Sequence, residues 1–130
     1  MGRERFDLVR GQYEQALLRL HEALDENETD LVRDALIQRF EFTYELGWKC
    51  MFYCLRANKE QVPEMVRPVI QAAFKGGLIE DADLWEKIKD SRDETSHTYN
   101  KERAIEVAAF VRTKAIGAFD KLREALRTAL

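Results

Sequence analysis

Apolar side chains recur along this chain at spacings of three and four, the period of a helix face turned toward a core. Five such stretches are separated by polar or glycine punctuation. The first runs from about Arg5 to Leu24, with Phe6, Val9, Tyr13, Leu17, Leu20 and Leu24 as its stripe. Asp25-Glu26-Asn27-Glu28 reads as a loop, and Thr29 or Asp30 suits the N-cap of a second helix from about Leu31 to Ala57. That helix is apolar on more than one side, through Leu36, Ile37, Phe40, Phe42, Tyr44, Leu46, Trp48, Met51, Phe52, Tyr53 and Leu55. It is therefore expected at the centre, packed on by several others or by a second subunit. Pro63 suits the first turn of a third, shorter helix that Gly76-Gly77 ends. Asp83 with Glu86 resembles a capping box opening a fourth helix through Trp85 and Ile88, whose end blurs between Ser96 and Tyr99. Asn100 can cap a fifth, striped by Ile105, Ala108, Val111, Ala115, Phe119, Leu122 and Leu126. The predicted fold class is all-α, an up-and-down bundle of four or five helices.

Composition agrees with that reading and narrows it. At 130 residues the chain has the length of one domain (1–130) with a real hydrophobic core, and its 6 Gly and 2 Pro are few for a chain with many strands or turns. A net charge of −3 argues against a broad basic face for duplex nucleic acid while leaving room for a local basic groove. No apolar run approaches the roughly 18 to 20 residues of a membrane span, and the N-terminus enters an amphipathic pattern directly, with Phe6 where a myristoylation motif needs Ser or Thr. A soluble, cytoplasmic protein is expected. Cys50 and Cys54, four apart on one helix, face the same way about 6 Å apart and read as reduced core thiols rather than a disulfide or zinc site.

Only two histidines are available for chemistry. His21 has no evident partner and reads as an ordinary surface residue. His97 lies in Arg92-Asp93-Glu94-Thr95-Ser96-His97-Thr98-Tyr99. An Arg five positions before a His arises by chance in about one chain in five of this composition, and adding a Tyr two positions after it brings the chance below about one in a hundred. On an unbroken helix, five residues turn about 140°, so Arg92 and His97 converge only if the helix loosens between them or a second subunit brings its own pair. A guanidinium binds phosphate and balances charge building on phosphorus, and an imidazole can take a proton from a ribose 2′-hydroxyl or return one to a leaving oxygen. Together they suffice for metal-independent RNA cleavage. No metal-ligand cluster is apparent in the sequence and no cofactor is expected. The alternative is a helix-end ionic network, with Asp93 paired to His97 and Arg92 to a nearby acid. Glu41, Glu45 and Lys49 form either a solvated salt-bridge stripe or a polar strip beside a cleft. The aromatics around them could stack bases but at this spacing belong more often to core or dimer interface. There is no glycine-rich phosphate loop and no nucleophile elbow.

Two stretches carry a family resemblance. Ile37-Gln38-Arg39-Phe40-Glu41-Phe42-Thr43-Tyr44-Glu45-Leu46-Gly47-Trp48-Lys49 resembles the signature helix of the nucleotidyltransferase substrate-binding protein family, of the HEPN (higher eukaryotes and prokaryotes nucleotide-binding) superfamily. Ala73-Phe74-Lys75-Gly76-Gly77-Leu78-Ile79, then Trp85, then Arg92 through Asn100, resembles its second signature. The resemblance implies a small HEPN-like helical bundle that forms a homodimer and associates with a minimal nucleotidyltransferase encoded beside it. It further implies a toxin of the HEPN/minimal-nucleotidyltransferase toxin–antitoxin kind, a metal-independent endoribonuclease whose Arg-x4-His motifs from two subunits line one cleft. Carried over, Arg92 would hold the scissile phosphate, His97 would act as general base or acid, and Asp93 would fill the supporting polar position, where relatives often have Asn. Tyr99 would accept AMP from the partner, silencing the nuclease. The family's name implies instead a non-catalytic subunit that binds nucleotide or substrate for a nucleotidyltransferase.

Overall fold

The computed structural model describes residues 2–130, and those residues are helical without a strand. Helix α1 spans Gly2–Asp25, α2 Asp30–Ala57, α3 Val66–Lys75 and α4 Ala82–Glu94. A 3₁₀ turn, Thr95–His97, follows α4. The last helix, α5, is continuous over 101–127, with a π-helical segment at Val111–Ala115. The five predicted stretches are thus five helices. Among the described residues no helix is long and apolar enough to cross a membrane.

The predicted stripes bury. Phe6, Tyr13, Leu17 and Leu20 of α1, Leu36, Phe40 and Met51 of α2, and Phe119, Leu122 and Leu126 of α5 are almost wholly enclosed. Pairings fix the directions of the helices. Arg39 Nη1 donates to the Arg19 carbonyl and Arg33 Nε to Glu28, so α2 runs antiparallel to α1. Arg127 meets Glu14, His21 meets Asp120 and Arg112 meets Glu28, so α5 also runs antiparallel to α1. The central α2 fulfils its expectation, touching α1, α3, α4 and α5 while keeping one outer face in solvent.

Several local readings shift. Thr29, not Asp30, caps α2, accepting from the Val32 amide at 3.1 Å. Helix α3 begins at Val66, so the proline in its first turn is Pro68, and Pro63 lies in the preceding loop. A missing N–H costs nothing at either place, which is why composition alone could not choose between them. The stop at Gly76-Gly77 holds, with Gly77 at φ +80°. Asp81, not Asp83, caps α4, accepting from Leu84 at 2.9 Å. In α5 the inward positions of the first turns are Ala104, Val107 and Ala108, while Ile105 is exposed. His21 is not partnerless, since its Nε2 sits 2.7 Å from Asp120 Oδ1 and ties α1 to α5.

Candidate functional site

Helix α4 stops between the two residues of the suspected motif. Its last residue is Glu94, and Thr95 caps it by accepting from the Arg92 side chain while bonding the Arg92 carbonyl. The chain then tightens into the 3₁₀ turn, which puts the end of α4 between Arg92 and His97 without a direct hydrogen bond or ion pair joining them among the described residues. Short-range hydrogen bonds hold the turn: Ser96 Oγ to the Asp93 carbonyl, Thr98 Oγ1 to the Thr95 carbonyl, and the Asn100 amide to the His97 carbonyl. Asn100 then opens α5, its Oδ1 accepting from the Glu102 and Arg103 amides, as its place in the sequence predicts.

His97 and Tyr99 stand out from this turn. Both are exposed, and their rings meet edge to face with centroids 6.2 Å apart. Asp93 does not pair with His97, because it faces the other way and meets Lys89 Nζ at 3.1 Å. Half of the predicted ionic alternative is therefore absent. Its other half is present: Arg92 does pair with acids.

The Arg92 guanidinium reaches across to α2. Nη1 lies 3.1 Å from Glu41 Oε2 and donates to Thr95 Oγ1 at 2.9 Å, and Nε lies 3.5 Å from Glu45 Oε1. Thr95 Oγ1 is also 3.0 Å from Glu41 Oε2, and Trp48 Nε1 donates to the second oxygen of Glu45 at 3.2 Å. Glu41 and Glu45 thus pair with Arg92 of α4, and among the described residues no ion pair joins either of them to Lys49 along α2. Beneath them Tyr44 is buried, and that burial, reinforced by the Glu45 charge, pushes its hydroxyl far above the ordinary phenol range. The aromatics of α2 otherwise serve the core, as Phe40, Trp48 and Phe52 are buried and only Phe42 is substantially exposed.

Sequence reading missed Thr95, a buried polar residue. A Thr three positions after an Arg at a helix end can return its hydroxyl to the Arg carbonyl, and that was the one available signal. A shallow depression of about 510 Å³ adjoins the motif, lined by Leu31, Gln38, Glu41 and Thr98 among others. A second open groove, about 570 Å³, lies apart from it between α1 and α2, lined by Leu8, Gly11, Ala16, Phe42 and Leu46 with Arg39 at its edge.

Residues 10–128 match the model of a family described as nucleotidyltransferase substrate binding protein like. A Haemophilus influenzae protein named "Probable ribonuclease HepT" is 34% identical over 90 residues, which are 63% of this chain and 62% of that protein's length. The match thus spans under two thirds of that relative. A crystal structure from Thermus thermophilus superposes with a TM-score of 0.73 at 33% identity, covering 88% of this chain and 95% of that one. A Haemophilus influenzae structure described as the fold of a substrate binding domain of a nucleotidyltransferase superposes at 0.70 with 28% identity, covering 96% and 98%.

Proposed function

The chain belongs to the nucleotidyltransferase substrate-binding-protein-like family, and from that premise we propose that it is the HEPN-type component of a two-gene module whose other member is a minimal nucleotidyltransferase. In this reading it is a homodimeric, metal-independent endoribonuclease and the toxin of the pair. The observation that carries the reading is the end of α4 at Glu94, which leaves His97 on an exposed turn close in sequence to Arg92, whose side chain is 31% exposed. The relative named a ribonuclease supports the same class of activity.

The chemistry needs few parts. Arg92 draws the scissile phosphate in and balances the charge that builds on its oxygens. His97 takes the proton of the ribose 2′-hydroxyl as that oxygen attacks phosphorus, and the departing 5′-oxygen takes a proton from the imidazolium of the second subunit. The products are a 2′,3′-cyclic phosphate and a 5′-hydroxyl. Asp93 turns away from His97 to pair with Lys89, which draws its charge away from the phosphate site. The apolar groove between α1 and α2 supplies exposed surface that a second copy can cover.

Purified protein is expected to cleave single-stranded RNA in the presence of EDTA, with His97→Ala abolishing cleavage while the fold is retained. A second reading, a non-catalytic nucleotide- or substrate-binding subunit, is favoured by the two carboxylates already engaging Arg92 and by the description of the second structural relative. Wild-type protein that binds nucleotide and cuts no RNA would establish it instead.

A further inference from the structure

Resting on the reading of Arg92 as the phosphate-binding group, we infer that Glu41, Glu45 and Thr95 are its positioning residues. They hold the Nη1 and Nε nitrogens of the guanidinium against α2, so that Nη2 is the donor that meets a phosphate. Nη1 donates a hydrogen bond to Thr95 Oγ1 at 2.9 Å and is held by the charge of Glu41, whose Oε2 lies 3.1 Å away. The Nε hydrogen is enclosed without a well-formed hydrogen bond, and its nearest charge is Glu45 Oε1 at 3.5 Å. The lock is itself anchored. The single Thr95 hydroxyl proton is shared between the Arg92 carbonyl at 2.7 Å and Glu41 Oε2 at 3.0 Å, and Trp48 Nε1 donates to the far oxygen of Glu45.

Nη2 remains. It makes no hydrogen bond among the described residues and is not among the enclosed unbonded nitrogens, and the Arg92 side chain keeps 31% of its surface open. A free arginine can offer a phosphate either of two forks, Nε–Nη2 or Nη1–Nη2, but here Nε and Nη1 already face Glu45 and Thr95, and Nη2 is left as the single donor. The geometry also sets the strength of the contact. Two carboxylates around one guanidinium leave local negative charge, so an isolated anion is held weakly, and a phosphate is retained when a further donor such as His97 shares it. Tight ground-state binding is thereby exchanged for direction, which favours a reacting phosphate over a resting one. An ion pair serving only to join α2 to α4 would affect stability and leave these properties unmoved.

The test uses the full chain labelled with ¹⁵N-arginine. Arg92, assigned by the signals missing in Arg92→Ala, is expected to show separate, slowly rotating Nη1 and Nη2 resonances. These merge in Thr95→Val and in Glu41→Gln, while thermal unfolding of both variants stays cooperative. A short single-stranded RNA carrying 2′-O-methyl groups, which cannot be cut, shifts Nη2 far more than Nη1. It binds Glu41→Gln at least about threefold more tightly than wild type because one competing charge is gone. Unmodified RNA bound to that variant is cut at least about tenfold more slowly, because the donor is no longer held in place. Averaged Nη resonances in the wild type, Nη1 as the nitrogen that shifts, or unchanged affinity in Glu41→Gln overturns the inference. A locked guanidinium that the RNA leaves unperturbed removes the phosphate-binding reading of Arg92 and leaves the lock standing. If the wild type binds but never cuts, the nuclease reading falls and the resonance and affinity measurements decide the inference alone.

Discussion

The hydroxyl of Tyr13 on α1 donates a 2.7 Å hydrogen bond to the carbonyl of Phe119 on α5, across 106 positions of sequence. Tyr13 is fully enclosed, and that burial, more than the nearby Cys50 and Asp120, drives its ionisation far above the ordinary range, so the group is a permanent neutral donor. Tyr13→Phe removes the donor and keeps the ring, while the Phe119 carbonyl lies inside a helix. The expected cost is about 1 kcal/mol, read as a melting temperature lower by a few degrees. An unchanged melting temperature would show that this bond contributes nothing net.

The same ring sets the tolerance of α2 at Gly47. A Cβ there would meet Tyr13 Cε1 at 3.1 Å, with Leu122 and Trp85 atoms at 3.5 Å. Tyr13 is pinned by its hydroxyl and cannot withdraw. Gly47→Ala is therefore expected to destabilise by about 1–2 kcal/mol, the overpacking outweighing the gain in helix propensity. Gly117→Ala on α5 is the control, with nothing within 4 Å of its Cβ, and should stabilise by about 0.5–1 kcal/mol. Urea unfolding of the two variants should move in opposite directions, and a shift of the same sign would contradict the packing account.

That contrast also marks what the sequence makes legible. Residues such as Tyr13, Phe40, Phe119 and Leu122 are dictated by one-dimensional periodicity, because burying a stripe is the main way a helix gains stability, and the structure encloses all four. The His21–Asp120 pair and the Arg92–Glu41 pair join distant parts of the chain, and no local spacing encodes which helix lies opposite. Caps are half legible: Thr29 and Asn100 emerge, whereas Asp81 and Asp83 compete at neighbouring positions for the same role. The motif around His97 is visible as a string, but the break in α4 after Glu94 depends on Thr95 returning its hydroxyl to the backbone.

Acid should loosen the junction where α1, α2 and α5 meet. Burial alone would raise the Glu28 carboxyl, but hydrogen bonds from Arg33 and Arg112 outweigh it and hold the group below its ordinary value of 4.5. A carboxyl whose pKa is depressed on folding contributes stability that is present above its unfolded value and lost as the pH falls through the folded one. Stability should thus begin to fall near pH 4.5 and continue below it, and Glu28→Gln should flatten that slope while lowering stability at pH 7. Urea midpoints between pH 7 and pH 3 provide the measurement, and parallel curves for the two proteins would refute the assignment.

Cys50 and Cys54 should be silent to thiol reagents in the native protein. Both are buried, and burial, with the neighbouring Cys54 adding to it, pushes the Cys50 thiol up to about 12. The Cys54 thiol is raised mainly by its own burial. At pH 8 almost no thiolate exists at Cys50 to react. A chromogenic disulfide reagent is expected to label neither residue quickly in buffer and both at once in denaturant. Rapid labelling of one thiol in the folded protein would mean that α2 opens locally.

On the proposed reading, Tyr99 is the residue that a partner nucleotidyltransferase would modify. It is 86% exposed, the most exposed of the large apolar side chains among the described residues, and its ring rests edge-on against His97. Such a hydroxyl can attack the α-phosphorus of ATP held by a nucleotidyltransferase, with pyrophosphate leaving and the phenolic proton passing to solvent. The AMP so attached would place a permanent phosphodiester anion beside His97. It would compete with RNA for the Nη2 side of Arg92, so modification and loss of cleavage should rise together. Co-expression with a minimal nucleotidyltransferase encoded beside it, the partner the proposed module requires, is expected to add one or more AMP masses to the wild type and none to Tyr99→Phe, and the modified protein should lose affinity for the uncleavable RNA. Mass spectrometry that finds the same addition in Tyr99→Phe would move the acceptor elsewhere, and a modified protein that still cuts RNA at the wild-type rate would separate modification from control.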